Sequence, residues 1–121
     1  MDIKEIISSI NHCVDQLDFT TARRYIEDNI ELVNKERASL KSNAREILKF
    51  ILEKNNSGEK PLTKKEINEI NVINTYAARF DIRGLKLNIK GKEQLLLKDE
   101  TLNYLSADAK IILEGMGAIK K

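Results

Sequence analysis

The chain has little of what catalytic and secreted proteins are commonly built on. Its 121 residues hold one cysteine, Cys13, one histidine, His12, and one proline, Pro61. A single cysteine cannot close an intramolecular disulfide, and a small secreted domain is expected to carry an even set. One His and one Cys also fall short of the three or four ligands that zinc needs, and no CxxC or HxxxH spacing supplies more. Gly84, Gly91, Gly115 and Gly117 are scattered and form neither a P-loop nor a dinucleotide fingerprint. Long hydrophobic runs are missing as well: no apolar stretch exceeds about four residues, against the ~18 needed to cross a bilayer. Residues 1–10 mix Asp2, Lys4 and Glu5 with isoleucines and lack the basic start and apolar stretch of a signal peptide. These absences lead to the expectation of a cytoplasmic protein with no membrane segment, no metal and no cofactor. The abundance of Ile, Lys and Asn is a usage common in low-GC bacteria.

What is present suits a single compact domain over 1–121, with 41% hydrophobic and 33% charged residues. Lys and Arg number 21 against 19 Asp and Glu, so the net charge of +2 is too small for a polycation or an acidic tail. Ile3, Ile6, Ile7, Ile10, Val14 and Leu17 recur at steps of three and four, which predicts an amphipathic helix over 2–17. Asp18 can cap a second helix, with Phe19, Ala22, Ile26, Ile30 and Val33 on its apolar stripe. So short a connection makes these two an antiparallel hairpin. Residues 34–42 are polar and either extend the second helix or form a loop. Ala44, Ile47, Leu48, Ile51 and Leu52 mark a third helix ending near Lys54, which completes a three-helix half over 1–54.

Asn55 to Pro61 read as a loop, because turn formers cluster there around the only proline. Thr63 and Glu66 then form the Ser/Thr-x-x-Glu capping box, and Ile67, Ile70, Ile73, Tyr76, Ala77 and Phe80 supply the inner face of a fourth helix. Leu85, Leu87 and Ile89 alternate with Lys86, Asn88 and Lys90, which predicts a β-hairpin with a turn at 90–92 and a return strand over 93–98. Continuation of the helix competes with it, but Gly84 and Gly91 would each cost about 1 kcal/mol in a helix interior. Asp99 and Ser106 can cap two short terminal helices facing inward through Leu102, Leu105, Ala109, Ile112 and Leu113, with Gly115 and Gly117 as stops. The expected fold is mainly α, with helix, β-hairpin and terminal helices filling 62–121.

The stretch from Leu17 to Leu32 resembles the second helix of a tetratricopeptide repeat. The acidic-aromatic pair Asp18-Phe19, the small Ala22, the bulky Tyr25-Ile26 and the run Ile30-Glu31-Leu32 carry the resemblance, which extends over roughly 3–54. It implies a right-handed stack of helical hairpins whose concave face binds peptides or partner proteins.

No residues assemble into a reaction centre. His12 and Cys13 are neighbours on a helix, so they point about 100° apart and cannot act as base and nucleophile on one another. Glu27, Asp28, Glu31, Glu66 and Glu69 lie on polar helix faces, without the burial or like-charge neighbour that would raise a carboxyl pKa. The expected function is therefore non-catalytic: an adaptor or regulator that binds another protein, a second copy of itself included. Its site would be the groove of the first three helices, lined by Arg23, Arg24, Tyr25 and Arg45, since exposed Tyr and Arg are favoured at binding hot spots. The alternative is nucleic acid. Residues 79–98 carry a local net charge of +4, and Lys86, Lys90 and Lys92 on a basic hairpin would suit a wing lying on phosphates.

Overall fold

A computed structural model describes residues 2–120. Eight α-helices follow one another: α1 (Ile3–Asp15), α2 (Phe19–Asp28), α3 (Ile30–Lys35), α4 (Ser42–Ser57), α5 (Lys64–Ala78), α6 (Ile82–Ile89), α7 (Glu93–Leu97) and α8 (Ala107–Met116). Single 3-10 segments lie at Arg37–Ser39 and Asp99–Asn103. No helix among the described residues is long and apolar enough to cross a membrane.

The N-terminal helices form where the periodicity places them. Asp2 caps α1 by accepting from the Glu5 N–H at 2.9 Å, and Ile6, Ile7, Ile10 and Val14 are buried along its stripe. Asp18 caps α2 by accepting from the Thr21 N–H, and Phe19, Ala22 and Ile26 are buried on it. α1 packs most extensively against α2, as the short connection demands, and α2 in turn packs on α4. Asn29 interrupts the second helix: its N–H reaches back to Ile26 O, its side-chain amide donates to Tyr25 O, and α3 starts afresh at Ile30. The segment bearing the tetratricopeptide-like pattern is thus two helices. α4 runs on through Asn55, Asn56 and Ser57 and ends at Gly58, whose φ of +79° is open to glycine at no steric cost.

The capping box at the start of α5 is fully formed, with the Glu66 N–H donating to Thr63 Oγ1 at 3.1 Å and the Thr63 N–H donating to Glu66 Oε1 at 3.0 Å. From there to residue 98 the expected β-hairpin is absent: residues 82–89 and 93–97 are the helices α6 and α7, and no strand occurs among the described residues. The physical reason is a second periodicity hidden in the same run. Ile82, Leu85 and Ile89 are spaced by three and four, and the structure buries Leu85 and Ile89 on one helical stripe while leaving Leu87 in solvent. The glycine penalty does not apply, because Gly84 lies in the first turn of α6, where the Asp81 carboxylate accepts from its N–H at 2.9 Å. A side chain there would run into Asp81 and come within 2.8 Å of Tyr76 Cε1. Gly91 lies between α6 and α7 at φ +82°, a turn conformation that glycine adopts freely.

α8 begins at Ser106, whose hydroxyl accepts from the Ala109 N–H, and Gly115 lies inside the helix, so only Gly117 ends it. The buried apolar side chains form one cluster reaching from Ile6 to Ile119, to which α5, α6 and α8 contribute Ile70, Ile73, Ala77, Leu85, Ile89, Ala109 and Leu113.

Three helix ends share one construction. At α1, the Asp18 N–H reaches Cys13 O and the Leu17 N–H reaches Val14 O; at α5, Asp81 reaches Tyr76 O and Phe80 reaches Ala77 O; at α8, Ala118 reaches Leu113 O and Gly117 reaches Glu114 O. This is the Schellman closure, whose central residue takes the left-handed conformation. At α8 that residue is glycine. At the other two it is Leu17, φ +62°, and Phe80, φ +52°, at a cost of about 1–2 kcal/mol each for an L side chain.

Candidate interaction surface

The residues expected to form a binding face are not brought together as a group. Arg23 is only 6% exposed and lies inside, its position on the α2 stripe falling between Phe19 and Ile26. Its Nη1 donates to Leu97 O on α7, its Nε pairs with Glu27 at 3.3 Å, and its guanidinium lies over Phe50 of α4. Arg23 is thus a strut joining α2, α4 and α7. Arg24 is exposed and Tyr25 half-buried beside it. Arg45 lines a separate groove of about 470 Å³ between the α3 end and α4, where Arg37 and Lys49 are mixed with Glu46 and Glu53. Arg23, Arg24 and Tyr25 do not line that groove.

The three lysines of the expected hairpin also separate. Lys86 and Lys90 are exposed on α6, whereas Lys92 is half-buried and donates to Asn88 Oδ1 at 2.9 Å. At 3.6 residues per turn, Ile82, Lys86, Lys90, Arg83 and Leu87 fall within a continuous arc of about 140°, which begins beside the buried Ile89 and reaches the far side of the helix at Leu87. This outer face meets the end of α1 across a groove of about 540 Å³ lined by Asp15, Leu17, Ile82, Arg83, Lys86, Leu87 and Lys90. Leu17 in that lining is only 7% exposed. Leu87 is 63% exposed, and Phe80, at the corner that starts α6, is 70% exposed, the highest values among the exposed large apolar side chains apart from Ile111.

The lining is cationic by count, Arg83, Lys86 and Lys90 against Asp15. Asp81 accepts from the Gly84 N–H, and the Asp15 carboxylate is held by Lys41 Nζ at 2.5 Å. Arg83, Lys86 and Lys90 have no carboxylate partner among the described residues.

Sequence reasoning found the basic excess but placed Phe80 inward and did not single out Ile82. The signal that could have found the corner is local: Leu17-Asp18-Phe19 and Phe80-Asp81-Ile82 have the same bulky-Asp-apolar pattern, with the Asp capping the next helix in both cases.

The remaining chemically interesting groups do not assemble into a centre. Cys13 is half-buried, and burial, helped by Asp18 and opposed by Arg24, pushes its thiol above the ordinary range, which disfavours the nucleophilic thiolate. His12, Asp15 and Lys41 line a groove of about 630 Å³ on α1 together with Ile3 and Ile7, and Asn11 ties that groove's two walls by donating to Ser39 O and accepting from the Lys41 N–H. Glu93 at the start of α7 is 0% exposed and neither carboxyl oxygen has a partner in good hydrogen-bond geometry; burial raises its pKa, opposed in part by the nearby backbone N–H groups of Glu93 and Gly91 and helped by Glu46. No group of three or more His, Cys, Asp or Glu side chains that could hold a metal occurs among the described residues. No protein family, curated protein or solved structure matches the chain.

Proposed function

We propose that the protein is a non-catalytic adaptor that binds another protein through the outer face of α6 and the corner preceding it. The observation that carries this reading is Phe80: a bulky aromatic held in the left-handed conformation, with most of its surface in water. Leu17 occupies the equivalent corner and is buried, so its packing offsets the backbone cost. Phe80 has no such return within the chain. The helix closure uses the left-handed conformation but not an exposed aromatic side chain at it, and strain retained at such a position is a pointer to recognition. Leu87 and Ile82 are exposed on the helix that Phe80 leads into, and Arg79, Arg83, Lys86 and Lys90 are exposed within the same stretch of chain, a mixture of aromatic, aliphatic and Arg typical of binding surfaces.

Nucleic acid is the less favoured partner. The wing that would have lain on phosphates is a helix, and Leu87 lies among the cations of that helix, where a phosphate backbone would leave it without an apolar contact.

Cross-linking followed by affinity capture from the source cell tests the reading, with wild type and the double variant Phe80→Gly/Leu87→Ser run in parallel. A defined protein retained by wild type and lost by the double variant is the expected result. Capture that is indifferent to both substitutions would remove this face from the function.

A further inference from the structure

Resting on that reading of the α6 face, we propose that its partner presents an acidic amphipathic helix, which lays one apolar side chain in the groove between Leu17 and α6 and sets its carboxylates on Arg83, Lys86 and Lys90. The lining dictates both halves of the description. Leu17, Ile82 and Leu87 supply the apolar part of the lining, while Arg83, Lys86 and Lys90 line the same groove without carboxylate partners among the described residues. The one acid in the lining, Asp15, is already held by Lys41. An occupant therefore gains by bringing negative charge and an apolar group together, and a basic occupant meets three cations.

The arrangement of the rows suits a helix. Ile82, Lys86 and Lys90 lie at successive i, i+4 positions, and Arg83 and Leu87 form the adjacent row, so apolar and cationic groups alternate across the groove at helical spacing. A bilayer surface fits less well, because Leu17 is almost wholly buried and adds little apolar area to a flat interface. A second copy of the chain is the remaining competitor. Leu32, half exposed beside Glu31, has Lys35 four residues past that glutamate, and Glu27 is already paired with Arg23, but Ile111 on α8 lies between Asp108 and Glu114, so self-association is measured as a competing outcome of the test.

The test uses the isotopically labelled full chain and four probes. The first is a designed helical peptide of about 18 residues with a leucine stripe flanked by glutamates. The second is its lysine-flanked counterpart, the third phosphatidylserine-containing vesicles, and the fourth a short DNA duplex. At about 150 mM salt, the acidic peptide should bind and move the amide resonances of Leu17, Arg83 and Leu87. Its affinity should fall about tenfold in Lys86→Glu/Lys90→Glu and by a similar factor in Leu87→Ser, all at exposed positions, with circular dichroism verifying the fold. The proposal is overturned if the acidic peptide does not bind, if the charge-reversed variant binds it as well as wild type, or if the basic peptide, the vesicles or the duplex bind more tightly. Concentration-dependent self-association that disappears in Lys86→Glu/Lys90→Glu would also overturn it, in favour of a second copy. Failure here with capture still dependent on Phe80 and Leu87 removes only the acidic helix. Capture independent of both residues removes the underlying reading.

Discussion

The Arg23 guanidinium carbon lies 5.5 Å from the centre of the Phe50 ring, so a cation forms part of the joint between α2 and α4. The same side chain donates to Leu97 O at 3.4 Å, which links α7 to that joint, while its ion partner Glu27 is nearly half exposed and adds little.

Replacing Arg23 with Leu should therefore destabilise the fold in spite of the added hydrophobicity. The Leu97 carbonyl loses its side-chain donor and the ring loses its cation, a cost of about 2–3 kcal/mol taken together. Arg23→Lys should recover little of it, because one ammonium cannot lie flat on the ring and reach both oxygens. Urea titration measures both variants. A Leu variant as stable as wild type would mean that Arg23 is not a strut.

Leu17 and Phe80 have the same backbone conformation and opposite surroundings, and glycine substitution separates the two. Phe80→Gly relieves about 1–2 kcal/mol of left-handed strain and gives back about 0.4–1 kcal/mol through the more flexible unfolded chain, so stability should be unchanged or slightly higher. Leu17→Gly gains the same relief but forfeits a buried side chain worth about 1.5–3 kcal/mol, so stability should fall. Thermal melts of the two variants give the comparison. Equal losses at both positions would show that the Phe80 ring contributes packing to the fold.

Glu93 makes a pH prediction of definite sign. Burial holds its folded-state pKa above the ordinary 4.5, so the folded state binds the proton more tightly than the unfolded one. The resulting penalty is absent below the ordinary value, grows as the pH rises through it to the folded value, and is complete above that. Glu93→Met should accordingly be more stable than wild type at neutral pH, by about 1–3 kcal/mol, with the gain shrinking as the medium is acidified. Glu66 works in the opposite direction. Burial would raise its pKa, but the Thr63 N–H, Lys98 and the Thr63 hydroxyl together lower it, so its stabilisation is present above the ordinary value and fades as the pH drops through the folded one. The difference between wild type and Glu93→Met at each pH isolates Glu93. A difference that grows toward acid pH would contradict the assignment.

The parts legible in the sequence are those whose causes are local. Thr63 and Glu66 announce the start of α5 because both halves of the capping box lie within four residues. The α1 stripe is equally plain, since every third or fourth residue is apolar. The run 82–98 is ambiguous, because Leu85, Leu87 and Ile89 satisfy a period of two while Ile82, Leu85 and Ile89 satisfy a helical one. Only the core offered by α5 decides between them. Phe80 was placed inward because it continues the stripe of Ile73 and Ala77. The left-handed turn at Phe80 itself takes the ring off that stripe, and a conformation of this kind at a bulky residue leaves no mark in periodicity. The basic half of the candidate surface was visible as the charge excess over 79–98, whereas its apolar half was hidden by that ambiguity and that turn.

The closure at Gly117 ties distant parts of the chain together. Gly117 O accepts from both the Thr20 N–H at 3.0 Å and the Thr20 hydroxyl at 2.9 Å, and Ala118 and Ile119 behind it are buried. Ninety-seven residues separate these partners. The first turn of α2 thus waits, during synthesis, for a segment translated nearly a hundred residues later, and until that segment arrives the hairpin of α1 and α2 lacks one of its covers. A contact of such sequence separation forms late and slowly compared with the local helix turns around it. The N-terminal hairpin is then completed only after the last turn of the chain has been made.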